Sequence, residues 1–323
     1  MAIANQKRDV NHTDWQNQRG WQRITLLSIV LLSATTGCNS SNLSSQSQQG
    51  ETRSQSQQLQ VVTTFLPMYW FTKAVARSVA KVEILVPPGT EVHEYQATPA
   101  NVSAIAQADV LVKNGLGLEE FLNDTIKNAG NSQLKQIDAS KGIQALNARE
   151  HNHEHKAGNP HVWLDPVLAK QQVANIRDGL IAADPKNKAT YQANATAYIQ
   201  QLETLDKEFK RLQKYPNCTF VTFHDAYSYL AKRYQIKQVA VVEIPEDQLS
   251  PQDVQKAIAA VKQYKVKAVF GEPGVDNKLL QSLSQDLNLS LHSLDSLENG
   301  STDPQHYFTA MKANLQTLES ACQ

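Results

Sequence analysis

The sequence predicts an α/β protein with largely parallel sheets, built as two halves on either side of one long helix. From Val61 onward, short β-branched runs alternate with helical patterns, as expected of strands joined by helical crossovers. Between residues 187 and 214, Tyr191, Ala195, Tyr198, Leu202, Leu205, Phe209 and Leu212 are spaced alternately by four and three. That places them on one face of a helix roughly 40 Å long at 1.5 Å per residue. The 323 residues suffice for about two domains at ~150 residues each.

Composition narrows the function classes. There are 31 Lys+Arg against 31 Asp+Glu and no Lys/Arg-rich run, so neither a nucleic-acid footprint nor a polybasic membrane patch is present. Histidine is unevenly spread, with four of the nine between His151 and His161.

In chain order, Arg19 and Arg23 precede an apolar run over 24–32. The run is too short to span a bilayer but suits the h-region of a secretory signal. It ends in Ser33-Ala34-Thr35-Thr36-Gly37-Cys38. A small residue directly before cysteine resembles a bacterial lipobox, with Thr35 where leucine is usual, so Cys38 is the expected lipidation site after cleavage at 37, the alternatives being ordinary signal cleavage or a buried cysteine. The Ser/Gln-rich stretch 38–60 has only Leu43 and Leu59 as aliphatic residues. It cannot bury enough apolar area to offset its ordering entropy and reads as a tether.

Strands are predicted at 61–65, 82–86 and 109–113, with helices at 68–80, 99–107 and 118–128. The second half repeats the theme, with strands at 219–223, 238–242, 268–270 and 289–294 and helices at 226–234, 251–263, 277–287 and 304–320. The long apolar face lacks systematic flanking charges and covers barely four heptads. Packing across both halves of a monomer is therefore expected rather than coiled-coil dimerisation, and Pro216 marks the helix end. The resulting division is 1–37 signal, 38–60 tether, 61–183 first lobe, 184–215 linking helix and 216–323 second lobe. With Cys38 lipidated, Cys218 and Cys322 remain. An oxidising compartment permits them to pair, the alternative being two unrelated thiols.

Four places set metal-compatible side chains beside turn chemistry. His93 lies in the loop Val86-Pro87-Pro88-Gly89-Thr90-Glu91-Val92-His93-Glu94-Tyr95, which leaves a predicted strand. His161 lies in Asn159-Pro160-His161-Val162-Trp163-Leu164-Asp165-Pro166, where Asp165 can cap a helix starting at Pro166. His224, in Phe223-His224-Asp225-Ala226-Tyr227, stands at a strand-to-helix junction, and Asp295 closes the last strand. Open α/β sheets collect ligands outside the C-terminal ends of their strands.

Together with Thr63-Thr64-Phe65-Leu66-Pro67, Ala108-Asp109-Val110-Leu111-Val112, Asn114-Gly115-Leu116-Gly117-Leu118-Glu119, Val269-Phe270-Gly271-Glu272-Pro273 and Leu294-Asp295, these words cover the chain in order from about residue 59. They resemble the metal-binding component of bacterial zinc/manganese ABC importers, a periplasmic solute-binding family that includes adhesin lipoproteins. The resemblance implies two α/β lobes joined by a rigid long helix, with the metal in the interlobe cleft. It implies His93 and His161 as ligands from the first lobe, and His224 and Asp295 from the second. Three neutral imidazoles and one carboxylate suit Zn²⁺. Manganese-preferring members carry a carboxylate at the position of His224, so Mn²⁺ is the less favoured cargo. Four protein ligands leave no position for an activated water, which implies carriage rather than catalysis.

The implied function is chelation of Zn²⁺ in the periplasm, on a protein anchored to a membrane by lipidated Cys38, and delivery to an ABC permease of the zinc/manganese type. The alternatives are a manganese/iron-binding homologue and a metal-stabilised adhesin-like surface lipoprotein. His151, His153 and His155, flanked by Glu150 and Glu154, read as an accessory metal-capturing loop or as solvated histidines. No His-Glu-x-x-His is present, which excludes a zincin signature. Glu94 and Glu119 are candidates for orienting the ligands, the alternative being ordinary surface or capping acids. His292 is expected to be structural, His306 to face solvent, and Tyr69, Trp70 and Phe71 to pack the lobe.

Overall fold

A computed structural model describes residues 58–146, 158–242, 250–266, 268–274 and 277–323. The expected signal, Cys38, most of the tether, and His151, His153 and His155 lie outside these residues.

Two four-stranded parallel sheets form the frame. The first consists of β1 (Leu59–Thr63), β2 (Ala80–Ile84), β3 (Val110–Lys113) and β4 (Lys135–Asp138), in the order β2-β1-β3-β4. The second consists of β5 (Thr219–His224), β6 (Lys237–Val242), β7 (Ala268–Gly271) and β8 (Ser290–Ser293), in the order β6-β5-β7-β8. In each sheet the earliest strand is interior and the order reverses beside it, which opens a crevice at the strand C-termini. β4 escapes the sequence reading because only Ile137 of its four residues is buried, so no apolar run marks it.

The connecting helices are α1 (Leu66–Ala76), α2 (Pro99–Gln107), α3 (Leu122–Ala129), α4 (Pro166–Ala183), α5 (Lys188–Phe209), α6 (Ser228–Tyr234), α7 (Pro251–Tyr264), α8 (Lys278–Asp286) and α9 (His306–Cys322). Their starts follow local chemistry. Thr98 and Asn101 form a capping box on α2, Ser250 and Asp253 another on α7, and Asp165 accepts from Val167 N to cap α4.

The long helix is α5. Its α-helical part ends at Phe209, and a 3-10 stretch (Lys210–Lys214) carries the chain towards Pro216. All seven residues of the apolar face, six on α5 and Leu212 on the 3-10 stretch, are buried, and α5 packs against α1, α4 and α9. One hydrophobic cluster runs from Val61 and Trp70 through Trp163, Tyr198 and Phe209 to Phe220, Phe270 and Tyr307. Both sheets therefore share a core, and a close-packed core resists large relative motion. Cys218 and Cys322 form a disulfide, Cα atoms 5.3 Å apart, that ties the start of β5 to the end of α9. Tyr69 is half-buried, and Trp70 and Phe71 are core residues.

Candidate metal centre

Loops at the C-terminal ends of the sheets bring four side chains to one place. His224 is the last residue of β5 and is fully buried. His161 precedes the 3-10 turn Val162–Leu164 and is 1% exposed. His93 is half-buried in the loop after β2, where the buried Val92 anchors the backbone. Glu298 follows β8 and is buried. One ligand atom from each of His93, His161, His224 and Glu298 lies within 4.8 Å of all the others.

The imidazoles converge through their Nε2 atoms. His161 Nε2 lies 3.1 Å from His93 Nε2 and 3.3 Å from His224 Nε2, and 3.9 Å from Glu298 Oε1. A tetrahedral zinc with Zn–N bonds of about 2.0–2.1 Å has an N···N edge of about 3.3 Å. The nitrogens are thus already spaced as ligands. Facing lone pairs repel unless a cation lies between them.

Each buried imidazole is held through its other nitrogen. His161 Nδ1 and its backbone N–H both donate to Asn159 Oδ1, each at 3.0 Å. His224 Nδ1 contacts Glu272, which is itself buried. A proton on each Nδ1 leaves Nε2 free for an ion. Burial, followed by the neighbouring His224 and His93, pushes the His161 pKa well below the usual histidine range and keeps it neutral. Burial also acts to lower His224, but Glu272 overrides it and the net shift is upward.

The His161 segment is docked onto second-lobe elements. Asn159 Nδ2 donates to Asp225 O at 2.6 Å, Tyr229 Oη donates to Asn159 O at 2.6 Å, and Trp163 Nε1 donates to Ser296 O at 2.8 Å. Tyr307 Oη donates to Trp163 O at 2.7 Å, and Arg233 Nε pairs with Asp165. Asn114 Nδ2 supports the same segment from the first lobe, donating to Pro160 O at 3.1 Å. Gly89 lets the His93 loop come close to the Glu298 loop, since a Cβ there would stand 3.1 Å from Asn299 Oδ1.

Three of the four expected ligands, His93, His161 and His224, are brought together. Asp295, the fourth expected ligand, is not in the group, where Glu298 stands instead. Asp295 Oδ1 accepts from Leu297 N at 2.8 Å, and the Asp295 backbone is gripped by Asn314. The Asp295 carboxylate thereby shapes the turn after β8, and Glu298, three residues on, reaches the imidazoles. Burial raises the Asp295 pKa.

Glu119 does not touch the ligands. Its carboxylate accepts from Thr64 Oγ1, Asn114 N and Gly115 N at 2.8, 2.6 and 3.1 Å and braces the β1 and β3 ends. Burial raises its pKa. Glu94 is exposed and outside the group. Glu272 and Asn159 are the orienting residues that sequence reasoning missed, although Asn159 stands two residues before His161 and Glu272 in the motif Val269-Phe270-Gly271-Glu272-Pro273. His292 lies beside Phe270 with centroids 5.9 Å apart. His306, expected to face solvent, is half-buried 5.5 Å from the Trp70 ring.

Comparisons with known proteins bear on this site. The family model described as "ZnuA: Zinc-uptake complex component A periplasmic" matches residues 61–321. The high-affinity zinc uptake system protein ZnuA of Bacillus subtilis is 33% identical over 290 residues, covering 85% of this chain and 91% of that protein. The zinc-binding lipoprotein AdcA of Streptococcus pneumoniae is 34% identical over 276 residues, covering 81% of this chain and only 55% of the relative. The crystal structure of the Zn(II)-bound ZnuA-like domain of Streptococcus pneumoniae AdcA superposes with a TM-score of 0.71 at 33% identity, covering 82% of this chain and 99% of that one.

Proposed function

The chain belongs to the ZnuA family of periplasmic zinc-uptake components, and from that premise we propose that it captures Zn²⁺ outside the cytoplasmic membrane and delivers it to an ABC permease. The ligands are His93, His161, His224 and Glu298. One observation carries the assignment: three imidazole Nε2 atoms and one carboxylate converge within 4.8 Å, the donor set and size of a four-coordinate zinc site.

The protein acts as a chelator. His161 and His224 are each held from behind, and the shared core keeps the lobes from swinging wide. The half-buried His93 is the ligand nearest solvent and the natural point of entry. Four protein donors leave no coordination position for a reactive water, so the site holds its ion rather than using it.

Among the described residues no helix is long and apolar enough to cross a membrane. In the same reading Cys38, after the lipobox-like Thr35-Thr36-Gly37, carries the lipid that attaches the chain to a membrane, the partner is a permease of the zinc/manganese type, and the working unit is a monomer.

The test is competitive titration of metal-stripped protein with Zn²⁺ and Mn²⁺. Wild type is expected to prefer Zn²⁺ strongly and His161→Ala to lose high-affinity binding. Unchanged zinc affinity in His161→Ala refutes the site, and a preference for Mn²⁺ refutes the cargo.

A further inference from the structure

We infer that Glu272 is a positioning residue for the metal: it holds His224 in the tautomer that leaves Nε2 open and makes that imidazole the strongest neutral donor of the set. The inference rests on the zinc-site reading above and adds to it the residue that sets donor strength.

Two deeply buried glutamates near the sheet ends make the contrast. The Glu119 carboxylate is saturated by three donors and serves the backbone. The Glu272 carboxylate is 2% exposed and meets His224 Nδ1 through Oε1, while Oε2 is buried and accepts no hydrogen bond among the described residues. A buried carboxylate with one partner is expensive to keep. Its cost is offset when a cation binds the far nitrogen of that same imidazole.

The approach of Glu272 is built in. Asn277 Oδ1 accepts from Glu272 N at 3.1 Å and Asn277 Nδ2 donates to Glu272 O at 2.8 Å, gripping the backbone on both sides. Gly271 permits this grip, because a Cβ there would stand 2.5 Å from Asn277 Oδ1. His161 is held differently, by the neutral amide of Asn159. A hydrogen bond to a carboxylate is roughly twice as strong as one to a neutral acceptor and makes the imidazole a better donor. Stronger nitrogen donation favours zinc over manganese, which gains less from imidazole.

The experiment compares wild type and Glu272→Gln, with Zn²⁺ and Mn²⁺ affinities measured against a chromophoric chelator and unfolding followed in a chelator. Glu272→Gln is expected to bind Zn²⁺ about 10–100-fold more weakly, to lose less for Mn²⁺, and to unfold at or above the wild-type midpoint when metal-free. Unchanged zinc affinity, or equal loss for both ions with a lowered metal-free midpoint, overturns the inference and makes Glu272 a brace like Glu119. If the variant does not fold, imidazole ¹⁵N and ¹H spectra of zinc-loaded wild type decide. A His224 Nδ1–H signal shifted strongly downfield of that of His161 supports the inference, and matching signals overturn it. Wild-type protein that takes up no zinc overturns the functional reading itself, and this inference with it.

Discussion

Replacing Arg233 by methionine isolates the ion pair that fastens the His161 segment to α6. Asp165 is 1% exposed, whereas the Arg233 side chain is 33% exposed and reaches in from the surface. Methionine keeps most of the aliphatic stem, so the change removes the charge and its hydrogen bonds rather than the packing. Asp165 is then left with its backbone capping bonds, from Val167 N at 2.8 Å and from Leu168 N. Stripping one partner from a buried pair costs about 3–5 kcal/mol. The exposure of Arg233 and the surviving cap place this case at the low end, about 3 kcal/mol, or roughly 100-fold in the folding equilibrium.

The sign of the pH dependence separates this account from a packing loss. Burial raises the Asp165 pKa despite Arg233, and removing Arg233 raises it further. A carboxyl whose pKa is raised by folding costs stability while ionised; the cost shrinks as pH falls below its folded value and is gone below its unfolded one. The deficit of Arg233→Met should therefore be largest near neutrality and shrink on acidification. Urea unfolding of both metal-free proteins at a series of pH values measures it. A deficit that does not vary with pH, or one lost in the error, refutes the reasoning.

Three further outcomes are expected. Glu298→Gln should weaken zinc binding at least about tenfold while Asp295→Asn, which keeps the turn acceptor, changes it little; calorimetric titration of the two variants decides which carboxylate is the ligand. Zinc affinity should fall on acidification, beginning above the ordinary histidine range because the raised His224 must shed its Nε2 proton, whereas His161 stays neutral to lower pH; a flat profile between about pH 8 and pH 5 rejects imidazole ligation. Removing the Cys218–Cys322 bond, which closes a separation of 104 residues, should lower stability by about 4–5 kcal/mol on the chain-entropy account with zinc affinity nearly unchanged, as read from unfolding with and without reductant.

Much of the fold was legible because its signals are local. The α5 face follows a four-and-three spacing, and every position in it is buried. The starts of α2, α4 and α7 follow from Thr98, Asp165 and Ser250, each placed beside a proline. β4 was not legible because it is held by its pairing with β3 rather than by apolar side chains of its own. Within the site, His93, His161 and His224 stood out because imidazole beside turn residues at strand ends is chemically conspicuous.

The sequence by itself determined the element order apart from β4 and the two parallel sheets about one long helix, since periodicity and capping act over a few neighbours; His93, His161 and His224 were implied as a set by the family resemblance. Only the tertiary structure decided which acid joins them. Asp295 and Glu298 are three residues apart, and both are chemically fit to bind. The choice rests on the turn that Asp295 makes with Leu297 N and on Asn314 of α9, which hold Asp295 to the backbone and let Glu298 reach the imidazoles. The pairing of His224 with Glu272 is likewise tertiary. It joins the end of β5 to the residue just after β7, 48 positions along the chain, a separation over which no local pattern carries information.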